Sequence, residues 1–116
     1  MHIFTLFLLR MMHRENYHLL EDYLSDLLLC EKRLMRYRDF GILWNDKNHY
    51  NEVTSKLRIV GKMRIKLVEA IRQTDRLKPK KINDLKFETL TILYLMKAAI
   101  NTCERWEAAK SSGRFI

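Results

Sequence analysis

The sequence predicts an all-α protein: a small helical bundle of three long helices in up-down order, plus a short N-terminal helix if the first residues separate. Three observations carry this. Three Gly and one Pro in 116 residues leave few ways to build turns. Apolar residues recur at threes and fours through three long segments. No stretch of useful length alternates apolar and polar residues as a half-buried strand does. The length fits one domain over residues 1–116, able to hide roughly two-thirds of its unfolded surface. Hydrophobic residues at 47% beside 31% charged residues argue against disorder.

The first helix is expected over about 16–39, where Tyr17, Leu20, Tyr23, Leu24, Leu27, Cys30 and Leu34 keep helical spacing. Asn16 is its expected N-cap, and Gly41 its C-terminal glycine. Nothing before Gly41 breaks a helix, so residues 3–14 either extend this one or form their own. A single helix from 3 to 39 would be about 55 Å long, so a bend near His13 to Asn16 is expected. The second helix is expected over about 51–77, ended by Pro79 at about Lys78. Gly61 lies inside it, where it costs roughly 1 kcal/mol relative to Ala or admits a close neighbour. The third is expected over about 83–110, capped by Asn83 and closed by Gly113.

All of the net charge sits in one stretch. Residues 56–81 carry ten Lys or Arg against Glu69 and Asp75, a net of +8, while the other 90 residues cancel. On the second helix Val53, Leu57, Val60, Leu67, Val68 and Ile71 gather on one side, and Arg58, Lys62, Lys66, Arg72 and Arg76 on the other. With Lys78, Lys80 and Lys81 this makes a cationic stripe, the footprint expected for a polyanion. A plain solvated basic face is the competing account. Arg64 falls on the apolar side, as does Glu31 of the first helix. Either the two pair across the helices or Arg64 reaches out to solvent from the rim.

The segment GILWNDKNHYNE, 41–52, reads as a loop in which Trp44, His49 and Tyr50 suit base stacking, a protein hot spot, or capping of the core. The third helix is apolar nearly all round. Leu85, Ile92, Leu95, Met96, Ala99, Cys103 and Trp106 form one face; Phe87, Leu90, Leu93 and Tyr94 form a second that implies an oligomer interface. Alternatively, the apolar N-terminal segment wraps this helix and covers it.

The chemical motifs fail. His13, Glu15 and His18 superficially resemble a metal site, but His residues five apart on a helix diverge by about 140°. No glycine loop could cradle phosphate, no carboxylate pair suggests acid–base work, and the Arg-to-His spacing of helical ribonucleases is absent: only three residues separate Arg14 from His18. Cys30 and Cys103 are too few for a disulfide scaffold and read as buried thiols, or as one bridge between helices. The N-terminal MHIFTLFLLRMM is interrupted by Arg10 and too short to span a bilayer, and it lacks the marks of a signal peptide.

The function expected is therefore non-enzymatic and needs no cofactor or metal: RNA or DNA bound with low sequence specificity through phosphates, by an accessory or small subunit of a larger assembly in the cytoplasm. The alternative is a protein-interaction module or inhibitor that binds an acidic protein surface, or a homo-oligomer formed through the C-terminal helix. A cationic helix lying on an anionic membrane ranks last, because its apolar face is committed to the core.

Overall fold

The computed structural model of the chain describes residues 2–113. Three helices run in sequence, α1 (His2–Leu43), α2 (Lys47–Arg72) and α3 (Pro79–Gly113), with a 3-10 turn (Thr74–Arg76) before the last. No strand occurs among the described residues. Late α1 meets early α2 where His49 reaches Tyr37, and mid α1 meets late α2 where Arg64 reaches Glu31, so the two are antiparallel. Lys66 with Glu88, and Trp106 with Asp46, likewise set α3 antiparallel to α2.

One core runs between the three helices. Leu20, Leu27 and Leu34 from α1, Val60, Met63 and Leu67 from α2, and Leu85, Met96 and Ile100 from α3 are almost wholly buried. With Tyr23, Cys30 and Tyr37 on α1 and Thr89, Leu93 and Cys103 on α3, the buried positions recur at threes and fours, as the sequence period requires. Beyond this core the molecule changes character. No described side chain of α1 before Leu20 is buried. The first part of the helix is an arm leaving the bundle, which accounts for a long axis of 74 Å and a radius of gyration of 18.9 Å, against about 13 Å for a compact chain of this length.

The arm corrects two expectations. Residues 3–14 neither bend away near His13 nor wrap α3; they continue α1 in one run of 42 residues. With no Pro and no Gly before position 41, each added residue gains a hydrogen bond and nothing interrupts propagation. Asn16 is accordingly inside a helix and caps nothing.

The boundaries differ from expectation for local reasons. α1 passes through Gly41 and ends in a Schellman motif: Asp46 N–H donates to the Gly41 carbonyl at 2.9 Å and Asn45 N–H to that of Ile42 at 3.0 Å. The left-handed residue is Asn45, at φ 53°, a position Asn tolerates. Asp46 then caps α2, its carboxylate accepting from His49 N–H at 3.1 Å. The expected loop 41–52 thus shrinks to Trp44–Asn45–Asp46. α2 stops at Arg72, well before Pro79, as the Thr74 hydroxyl donates to the carbonyls of Ala70 and Ile71. Pro79 opens α3 instead of closing α2, since the first helical position needs no N–H, and Asn83 lies exposed inside that helix. α3 runs to Gly113, the last of the described residues.

The two internal glycines make opposite predictions. A Cβ on Gly41 would sit 3.0 Å from His49 Cδ2 and 3.3 Å from the Tyr50 backbone, so its absence lets α2 approach α1. His49 is stacked on the Trp106 ring and bonded to the Tyr37 carbonyl, so giving way disturbs both contacts. A Cβ on Gly61 would meet nothing nearer than 3.8 Å. Gly41→Ala is expected to lower the melting temperature, whereas Gly61→Ala raises stability by up to about 1 kcal/mol through helix propensity. Parallel thermal melts check both; equal shifts would contradict the close packing at Gly41.

Candidate nucleic-acid interface

Turning 100° per residue brings Arg58, Lys62, Ile65, Glu69 and Arg72 within about 80° of one another, in a row about 21 Å long. This is the solvent face of α2, opposite buried Val60, Met63 and Leu67. Lys66 flanks the row. The chain then turns through Arg76 and Lys78 into Lys80 and Lys81. Lys66 and Lys81 line one shallow groove between α2 and α3, with Glu69, Gln73 and Leu77. The turn therefore continues the stripe around the end of the bundle. All eight cations picked from the sequence are exposed: Arg58, Lys62, Lys66, Arg72, Arg76, Lys78, Lys80 and Lys81.

Two of the eight are already engaged. Lys66 Nζ lies 2.6 Å from Glu88 Oε1, and Arg72 Nη1 lies 3.9 Å from Glu69 Oε2. Arg58, Lys62, Arg76, Lys78, Lys80 and Lys81 have no ion pair among the described residues. Exposed pairs are worth about 0–1 kcal/mol, so an anion can displace both at little cost. Sequence reading overlooked Ile65, which is 62% exposed in the middle of this face, and Ile59 at its edge. The signal was present in the spacing: Ile65 is seven residues after Arg58 and seven before Arg72.

Arg64 stands apart from the stripe. Its Nε sits 3.1 Å from Glu31 Oε1 across the α1–α2 seam, with side chains 39% and 18% exposed. Both accounts of Arg64 meet here: it pairs, and it does so at the rim.

The aromatic trio does not form a stacking surface. His49 lies flat on Trp106 of α3, ring centroids 3.6 Å apart and planes within 1°. Its Nε2–H donates to the Tyr37 carbonyl at 3.0 Å, because that oxygen can only accept. Trp106 thus takes one face of His49, while Gly41 and the Tyr37 carbonyl lie at its ring edge. Trp44 and Tyr50 are half-buried around the α1–α2 connection. Asp46 ties the cluster together: besides capping α2 it accepts from Trp106 Nε1–H at 2.8 Å and lies 3.6 Å from Lys110 Nζ. The Trp106 hydrogen bond, then that of the His49 amide, hold its carboxyl below the ordinary range. This end of the bundle is a structural clasp joining α3 to the α1–α2 connection.

The four residues expected to form a second apolar face of α3 divide into two sets. Phe87 and Tyr94 are each 76% exposed and Leu90 47%. Leu93 is only 5% exposed and belongs to the core, because its direction lies about 60° from that of Leu90 and 100° from that of Tyr94, which carries it inward. Cys30 and Cys103 are both free and buried. Burial raises the Cys30 thiol, and burial together with nearby Glu104 pushes Cys103 up to about 11, so neither is an activated nucleophile at neutral pH. His18 faces Glu21, and no three metal-binding side chains converge among the described residues. No helix among the described residues is long and apolar enough to cross a membrane. No protein-family model, no curated protein and no solved structure matches this chain.

Proposed function

We propose that this chain is a non-enzymatic nucleic-acid-binding protein, acting as an accessory or small subunit of a larger assembly in the cytoplasm. The observation that carries the reading is the run of exposed, largely unpaired cations, broken by Ile65 and Glu69, from Arg58 along α2 and around the turn to Lys81. Such a surface attracts phosphates irrespective of sequence, and counterion release makes its binding strongly salt-dependent. Ile65 and Ile59 supply apolar contact between the charges. The α3 clasp engages one face and the Nε2 edge of His49, which makes it a poor base-stacking platform and favours backbone recognition. The test is size-exclusion chromatography with light scattering on the chain mixed with a pool of RNA and DNA. The expected result is a complex at low salt that dissolves at high salt; no complex at either salt would reject the reading.

A second reading, a module that docks on an acidic protein surface or self-associates through α3, draws on Phe87, Leu90 and Tyr94. Three large apolar side chains at helical spacing stand out from the face opposite the core. Replacing Leu90 and Tyr94 with Ser is expected to abolish any α3-mediated association while leaving helicity intact. Association that survives this change would place its interface elsewhere.

A further inference from the structure

The α1 arm exposes more apolar surface than a solitary helix tolerates. Ile3 is 85% exposed, Phe4 68%, Leu6 55%, Phe7 59%, and Leu8, Leu9, Met11 and Met12 between 44% and 49%. Counting a covered aromatic at 150–250 Å², these residues display on the order of 900 Å², against roughly 300–600 Å² for the largest patch on a typical monomer. These residues lie all round the helix, and the side that carries Ile3 and Phe7 has neighbours in sequence that indicate what covers it.

One stripe of α1 keeps strict four–three spacing from the arm into the bundle: Ile3, Phe7, Arg10, Arg14, Tyr17, Glu21, Leu24 and Leu28. Its members lie within about 100° of one another on a straight helix, a drift that slight supercoiling removes. All are exposed except Leu24, which is half-buried. The stripe is complementary to itself in reverse. About a two-fold axis level with Glu15 and Asn16, residue i faces residue 31 − i of a second copy. Ile3 then meets Leu28, Phe7 meets Leu24, Arg10 meets Glu21 and Arg14 meets the Tyr17 ring, each contact made twice. Apolar faces apolar, cation faces carboxylate, and guanidinium faces an aromatic.

The flanking charges agree. Between residues 2 and 14 the only charged groups apart from His are Arg10 and Arg14, whereas Glu15, Glu21, Asp22, Asp26 and Glu31 come next with no Lys or Arg among them. Antiparallel pairing sets the cationic block of each copy against the acidic block of the other; parallel pairing sets like against like. Arg10 and Arg14 have no ion pair within their own chain among the described residues. The acidic block beside the arm also disfavours an anionic bilayer as its cover.

We infer that two copies of this chain associate through their α1 helices, antiparallel and two-fold symmetric, along the Ile3–Leu28 stripe, about 38 Å long. The seam lies on the arm and on one side of α1 and uses no residue of α2, so the pair presents two basic stripes. The inference does not depend on the nucleic-acid reading, and its test contains no nucleic acid.

The experiment is sedimentation equilibrium of the full chain, compared with Arg10→Glu, Glu21→Arg and the double variant. The wild type is expected to sediment at twice 14.1 kDa. Each single reversal sets like charges opposite one another twice and is expected to weaken the dimer at least tenfold. The double variant restores opposite charges only across the antiparallel pair and is expected to recover most of the affinity, a coupling that independent sites would not show. None of these positions is in the core, and circular dichroism verifies that each variant folds. A wild type monomeric at 100 μM, a double variant as weak as the sum of the singles, or a monomer that instead binds vesicles of neutral and anionic phospholipid would each overturn the inference.

Discussion

Replacing Asp46 with Ala is expected to destabilise the chain by about 2–4 kcal/mol and to lower its melting temperature by roughly 10 °C. Three losses combine at this side chain. The N-cap of α2 contributes about 1 kcal/mol, and the charged hydrogen bond from Trp106 Nε1–H about 1.5–3 kcal/mol. The Lys110 pair, with its lysine side chain 39% exposed, adds little. Removing the carboxylate also frees Trp106 from its place over His49, so α3 loses its tie to the α1–α2 connection. Asp46→Asn keeps the cap and is expected to cost distinctly less. The pH dependence arises from the same residue. Its folded-state pKa is depressed, so its contribution is complete above the unfolded carboxylate value of about 3.9 and is lost as pH falls through the folded value. The native chain should therefore destabilise below about pH 4 more than Asp46→Asn does. Melts at fixed protein concentration check this; an unchanged melting temperature in Asp46→Ala would remove the clasp from the account.

The second large effect falls on binding. Reversing Arg58, Lys62 and Lys81 to Glu is expected to weaken nucleic-acid binding at physiological salt by about 100-fold or more. All three are exposed and have no ion pair to break among the described residues, so helicity and melting temperature should hardly change. That separation is why Lys66 and Arg72, which are tied to Glu88 and Glu69, are poorer choices. The loss should be uniform across sequences, because phosphates rather than base edges are contacted. Loss confined to one sequence would mean that base readout dominates.

The helical class and the core face of α2 were legible because amphipathic periodicity reports directly which side is buried. The cationic stripe was legible for the same reason, and every residue assigned to it is exposed. Boundaries were less so. Gly41 and Pro79 each serve two physical uses, and composition does not choose between them: Gly41 makes room for His49 rather than ending a helix, and Pro79 starts one. The face of Leu93 was misassigned because α3 is apolar nearly all round, so its pattern does not say which direction meets α1. The clasp of Asp46, His49 and Trp106 joins residues up to 60 apart and leaves no local trace. The arm was misread because an apolar segment without a breaker can fold back or project with equal local propensity; packing partners decide, and they are distant in sequence.

The most direct measurement is a salt titration of the binding constant for a duplex DNA of mixed sequence, for the wild type and the Arg58, Lys62 and Lys81 reversal. With six or so phosphates neutralised, log K should fall with log salt at a slope near −5 for the wild type, and the reversal should flatten that slope by about 3. A wild type that binds with no salt dependence, or a slope the three reversals leave untouched, would contradict the cationic face of α2 as the site of binding.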